Sequence, residues 1–195
     1  MSQDPFEIIV APYDVYIAAV GTAFPTTPGD APSGSWTLLG RQGAERYTED
    51  GVMVQLSQTL SYVRAAKMTG PVKAIRTEED CIISFTLIDL RPAQFTYALA
   101  GTSPTSASGI ETLNLYRGLD VAQWALLIRG DSPTNATGES WKADYRITRA
   151  VQASSPQIQY HKGGAAGVAF EFRAIVDPNS TELERFGRIV YDVST

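Results

Sequence analysis

The chain has 195 residues, enough for one domain with a hydrophobic core, and we predict a single domain over residues 1–195. With 16 Lys and Arg against 21 Asp and Glu, the net charge of -5 disfavours a protein that grips nucleic acid by its phosphates, whereas passive contact with DNA remains compatible with it. The one cysteine, Cys81, excludes an intramolecular disulfide and a thiolate metal site built within one chain.

The N-terminal sequence MSQDPFEIIV lacks the basic region of a signal peptide, and no segment approaches the roughly 20 apolar residues of a membrane span. These features predict synthesis and folding in a cytoplasm. Alternation of apolar and polar residues, with period two, then predicts a mostly antiparallel β protein in which each strand has one buried and one wet face. The predicted strands are residues 15–20, 36–39, 52–63, 72–88, 112–117, 121–129, 141–151, 168–176 and 188–193.

One short helix is predicted over residues 91–101, because Pro92 suits a first helical turn and Gly101 suits a helix end. The segment PNSTELERFG adds a possible helical turn before the last strand, with Asn179 or Ser180 as its N-cap. Four long connections, rich in glycine, proline and serine, separate the strands, and connections longer than about 4–6 residues are often functional.

A long hairpin over residues 48–90 is the most unusual feature of the sequence. Its two strands are predicted to have about 12 and 17 residues around a Gly70-Pro71 reversal, whereas strands usually have about 5–6. Long ribbons are marginally stable alone, and their unpaired edges invite strands from another chain.

Charge is separated along this hairpin. Arg64, Lys67, Lys73 and Arg76 lie near the turn, while Glu78 and Asp80 lie further back with other carboxylates. A positive tip can dock on the negative stem of an identical neighbour, in a heterologous contact that closes into a ring if the rotation allows. Alternatively, the hairpin is solvated and its charges keep its edge from aggregating. The predicted assembly interface comprises Tyr62, Arg64, Lys67, Lys73, Arg76, Glu78 and Asp80.

The first half of the chain resembles the major tail (tail tube) proteins of long-tailed bacteriophages. The resemblance rests on the order of DVYIAAV, a Gly/Pro-rich loop, SWTLLG, TEDGV, the long hairpin, RTEED and RPAQFTYALAG, over residues 13–101. It implies an antiparallel β-sandwich or partly closed barrel with one flanking helix. Such subunits form six-fold rings that stack into a tube, in which long strands from every subunit join into a continuous inner barrel.

The resemblance also implies partners and a location. The chain is expected to assemble with itself, to meet tape-measure and tail terminator or tip proteins, and to contact genomic DNA passively in a lumen of negative charge. Residues 1–12, as an N-terminal arm, or the loop GTAFPTTPGDAPSGS would reach toward an adjacent ring. The expected location is the virion tail, assembled in the host bacterial cytoplasm, with no membrane partner.

No residue pattern predicts catalysis, a cofactor or a metal site. His161 is the only histidine and has no second base beside it, and Cys81 shares the apolar phase of its strand, which predicts a buried thiol. Glu78 and Asp80 converge on one strand face, where they are more typical of an interface or surface than of a calcium site. The alternative function is a β-sandwich module that binds carbohydrate or peptide through Trp36, Trp124, Trp141, Tyr145 and Tyr160; an enzyme ranks third.

Overall fold

The chain folds into a mainly β structure with antiparallel sheets and one short α-helix, as its alternating sequence predicts. The computed structural model describes residues 13–40, 47–88, 92–99, 102–116, 118–131, 142–158 and 166–192. The strands are β1 Tyr13–Ala19, β2 Thr37–Leu38, β3 Tyr47–Arg64, β4 Pro71–Leu87, β5 Thr105–Ala107, β6 Ile110–Thr112, β7 Gln123–Asp131, β8 Lys142–Gln152, β9 Val168–Ala174 and β10 Arg188–Asp192. The helix α1, Pro92–Ala98, follows β4.

The main sheet has the order β2-β1-β7-β8-β9-β4-β3, and β10 pairs with β8 off this path. β7 runs along one edge of β8, while the other edge is divided, because its first residues pair with β10 and residues 150–152 pair with β9. At this division the sheet folds into two layers, β1-β7-β8 and β9-β4-β3, that share one core. The end strands β2 and β3 do not pair with each other, so the layers form an open sandwich and not a closed barrel.

Aromatic stacking fills the core between the layers. Phe85 stacks on Phe170 with ring centroids 5.2 Å apart, and Phe170 stacks on Phe172 at 6.0 Å. Burying each such ring contributes about 1.5–3 kcal/mol. Helix α1 closes part of the core, since its residue Ala98 is fully buried.

Both faces of β8 are buried, which corrects the expectation of one wet face. Asp144 and Arg146 lie on the face predicted to be wet, yet Asp144 is 0% and Arg146 is 4% exposed. The reason is tertiary, because the loop between β1 and β2 folds back across this face. There the Nε1–H of Trp36 donates to the Ala23 carbonyl at 3.0 Å, and the rings of Trp36 and Phe24 lie 5.1 Å apart.

One local prediction is wrong, and a second holds for the helical turn before the last strand but not for its N-cap. The strand predicted at 112–117 is confined to β6, and its residues 113–116 are in no strand. The second helical turn is a 3-10 helix, Glu182–Glu184, whose N-cap Thr181 makes no side-chain capping bond. Asn179 and Ser180 do not cap it, because the helix begins at Glu182 with Thr181 at the N-cap. The Asn179 backbone N–H and the Ser180 hydroxyl donate instead to the buried Asp177 carboxylate, at 3.1 and 3.2 Å.

Candidate assembly interface

The long hairpin projects beyond the body of the sandwich. β3 and β4 have 18 and 17 residues, which confirms two overlong strands. β9 pairs with β4 only along residues 82–87, so from Cys81 to the turn the ribbon has no third strand among the described residues. The eight steps from Leu56 to Arg64, at roughly 3.3 Å each, make this free part ~26 Å long.

The strand register divides the free part of the hairpin into two faces. The core face continues the buried side of the sandwich, and it includes the pairs Leu56 with Cys81 and Tyr62 with Ala74. The outer face includes the pairs Ser57 with Asp80, Thr59 with Glu78 and Val63 with Lys73.

The core face of the free hairpin carries exposed apolar side chains, interrupted by the polar group of Gln58, Arg76 and Glu79. Leu56 is 69%, Tyr62 is 54% and Leu60 is 37% exposed, although their strand phase is the same as that of the half-buried Val52 and Val54. The alternate residues from Val52 to Tyr62 were predicted to be buried. Within a single chain this holds only as far as Val54, because the second layer does not cover the strand beyond that residue. Monomeric proteins rarely expose contiguous apolar surface, and larger patches mark interaction sites.

A bulge at Thr77 decides which face carries each charge. Thr59 pairs with Glu78 but Leu60 pairs with Arg76, so β4 has one extra residue at this step. The extra residue reverses the phase of the strand toward the turn. Arg76 therefore lies on the core face, where its Nε donates to the Gln58 side-chain oxygen at 2.8 Å and its guanidinium pairs with Glu79 at 3.3 Å.

The predicted tip-to-stem contact needs revision on this geometry. Arg64 pairs with Pro71 at the turn and its guanidinium donates to the Thr69 carbonyl at 3.2 Å. Lys73 lies one pair further back, beside Val63 on the outer face, so Arg64 and Lys73 point to opposite sides. Lys67 lies in the exposed turn. Of these three basic residues, Lys73 is the one that shares a face with Glu78 and Asp80.

Asp80 already has a partner in its own chain. The Arg173 Nε and a terminal guanidinium nitrogen donate to the two Asp80 carboxylate oxygens, at 3.0 and 2.5 Å. This hydrogen bonding, and then the carboxylate charge, raise the pKa of the Arg173 guanidinium. Glu78 has a weaker interaction than Asp80, since it accepts only a 3.3 Å hydrogen bond from the uncharged Thr59 hydroxyl. Glu78 is therefore the stem carboxylate that a neighbour's cation reaches without first breaking an ion pair.

Sequence reasoning missed a buried ion cluster that fixes the loop over β8. Arg129 Nε and a second guanidinium nitrogen contact the Asp144 oxygens at 2.8 and 3.1 Å, and Arg146 contacts the same carboxylate at 3.2 Å. The two guanidiniums also donate to the loop carbonyls of Asp30, at 2.8 Å, and Thr26, at 3.4 Å. The available signal was the occurrence of opposite charges inside two otherwise apolar strands, QWALLIRGD and KADYRITRAVQ.

The other residues considered from sequence have structural surroundings or lie outside the described residues. Cys81 is buried, as predicted, and burial raises the pKa of its thiol to about 11. Within the described ranges, no three His, Cys, Asp or Glu side chains are placed to hold a metal ion. His161 falls outside those ranges.

The aromatic residues of the alternative binding function are partly accounted for by packing. Trp36 is buried, Trp124 packs edge-on against Tyr97 at 5.2 Å, and Tyr145 packs against the main core. Trp141 and Tyr160 lie outside the described residues. The three that are described are thus engaged in packing and do not form an exposed stacking platform.

Comparison with known proteins adds no family assignment, since no protein-family model and no curated protein sequence matches this chain. In the described part of the chain, no helix has the length and apolar character needed to cross a membrane.

Proposed function

We propose that this protein is a structural virion subunit that assembles with its own copies into stacked six-fold rings, the tail tube of a long-tailed bacteriophage. The observation that supports the proposal most is the free hairpin, whose core face continues beyond the sandwich with apolar side chains that no other described residue buries. In a ring, the neighbouring subunit supplies that cover. The free edges of β3 and β4 then pair with adjacent hairpins, and closing the ring removes exposed strand edges.

The polarity of the hairpin supports the same arrangement. Its outer face carries hydroxyl and carboxylate side chains, including Ser57, Thr59 and Glu78, with one lysine, Lys73, and the apolar Val63 and Ile75 nearer the turn; the charge of Asp80 is paired with Arg173. A lumen lined by this face attracts phosphate weakly, because retention of DNA requires clustered lysine and arginine. The proposed tube holds a tape-measure protein during assembly and later conducts genomic DNA, with terminator and tip proteins at its ends and the virion tail as its location.

Electron microscopy of negatively stained protein tests the proposal. Wild-type protein at high concentration should form rings or tubes. Leu60→Asp should abolish them, because it removes an exposed apolar side chain from the core face of the free hairpin. Leu183→Asp is the matched control, since Leu183 is 96% exposed in the 3-10 helix and lies outside the hairpin.

Circular dichroism establishes that each variant is folded. The proposal predicts tubes from wild type and Leu183→Asp, and folded subunits without tubes from Leu60→Asp. Wild-type protein that stays monomeric at every concentration contradicts self-assembly, and tubes from Leu60→Asp contradict the role of the core face.

A further inference from the structure

A small apolar groove opens at the edge of the sandwich, between the base of the hairpin and β10. Val54, Leu56 and Cys81 form one wall, Tyr145 and Ile147 form the other, and residues 186–189 complete it. Its volume is about 100 Å³, well below the ~300–1,000 Å³ of typical small-molecule sites. The groove therefore suits a single apolar side chain better than a ligand.

The same chain exposes an apolar segment that has no place on its own sandwich. The ribbon β5–β6 is a separate two-stranded sheet, and all six of its residues are exposed. In the segment that follows, Leu115, Tyr116 and Leu119 are 77%, 86% and 98% exposed. A ribbon this short is unstable alone in water, so its position requires contacts with another surface.

The backbone presents Leu119 outward from this segment. Gly118 has φ +72, a conformation that L side chains rarely adopt, and it turns the chain immediately before Leu119. Asp120 follows directly, while Arg188 lines the groove. The Asp120 carboxylate thus flanks the projecting leucine, and the groove is flanked by a guanidinium that also pairs with Glu184 of its own chain at 2.9 Å.

We propose that Leu119 of one copy inserts into this groove of a second copy of the chain. The two surfaces are different patches of the same molecule, so the contact is heterologous and propagates through a ring or a stack of rings. This proposal rests on the proposed function, because self-assembly is what brings a second copy of the chain to the groove. The groove adjoins the base of the free hairpin, with which it shares Leu56, so the contact extends the hairpin interface toward β10.

Crosslinking of two variants, each with one introduced cysteine, tests the contact. Leu119→Cys is mixed with affinity-tagged Ile189→Cys, assembled, and treated with a short bismaleimide, and peptide mass spectrometry identifies the linked residues. The native Cys81 does not interfere, because it is buried and its thiol is protonated at neutral pH. The matched control replaces Ile189→Cys with Ser33→Cys, which places an exposed thiol on the loop over β8.

Linkage of residues 119 and 189 should be at least ~10²-fold faster in tubes than the linkage of 119 and 33, because docking holds the first pair at a millimolar effective concentration. Tubes in which 119 and 189 do not link, or in which 119 links equally fast to 33, overturn the groove contact and leave the tube intact. Wild-type protein that never assembles overturns the proposed function and the contact together.

Discussion

The carboxylate of Asp144 is the clearest place to test whether the buried ion cluster holds the fold together. Asp144→Asn removes the negative charge and keeps the shape of the side chain. It removes the carboxylate that both Arg129 and Arg146 contact, and the side chains of these arginines are only 11% and 4% exposed. Removing one partner of a buried ion pair costs about 3–5 kcal/mol, chiefly because the remaining charge stays buried and unpaired.

An exposed pair in the same chain provides the control. Asp80 and Arg173 also form a two-bonded contact, but their side chains are 33% and 50% exposed. Solvent screens such a pair, so Asp80→Asn should cost only about 0–1 kcal/mol. The chemistry of the two substitutions is the same, and the difference in cost therefore measures the effect of burial.

Urea unfolding followed by circular dichroism measures both free energies. Because whole domains are stable by only about 5–15 kcal/mol, Asp144→Asn is expected to shift the midpoint strongly or to prevent folding. Asp144→Glu keeps the charge and should fold with a smaller loss. A loss below about 1 kcal/mol for Asp144→Asn, or equal losses for Asp144→Asn and Asp80→Asn, would refute the reasoning from burial.

Three further predictions concern pH, charge and dynamics. Burial raises the pKa of the Cys81 thiol from 9.0 to about 11, so the unfolded chain releases this proton at a lower pH than the folded chain. The free energy of unfolding should therefore fall as pH rises from 9.0 to about 11. In urea unfolding, Cys81→Ala should make that decline shallower, and parallel declines for the variant and wild type contradict the prediction. In electron microscopy, Glu78→Lys should block tube formation, and the double variant Glu78→Lys with Lys73→Glu should restore it. Normal tubes from Glu78→Lys alone exclude a contact between Lys73 and a neighbour's Glu78. Hydrogen exchange should show that the amides of residues 64–73 gain protection on assembly, and equal protection in subunit and tube counts against the hairpin interface.

The sequence pattern was sufficient to predict those features that depend mainly on residues close together in the chain. The period-two alternation on both sides of Gly70-Pro71 predicted the long hairpin, because alternating apolar residues favour extended backbone and the glycine-proline pair favours a reversal. The phase of Cys81 predicted its burial, and Pro92 marked the start of α1. The sequence thus predicted the hairpin on which the proposed interface lies.

The faces of that element were decided by tertiary structure. The sequence indicated that the alternate residues from Val52 to Tyr62 share one side, but not that the opposite layer ends before Leu56 and leaves the rest of that side exposed. It also gave no sign that the loop between β1 and β2 covers Asp144. Burial depends on what packs opposite a residue, and alternation along one strand does not contain that information.

The positions of the hairpin charges show the same limit most clearly. Strict alternation along β4 places Arg76 on the face of Asp80 and Lys73 on the opposite face. The bulge at Thr77 exchanges them, so that Lys73 shares the outer face with Glu78 while Arg76 joins Gln58 and Leu60 on the core face. A bulge arises from the register between two strands, and one extra residue reverses every side chain beyond it. The sequence by itself therefore determined which residues form the hairpin, and only the pairing of β3 with β4 determined the direction in which each charge points.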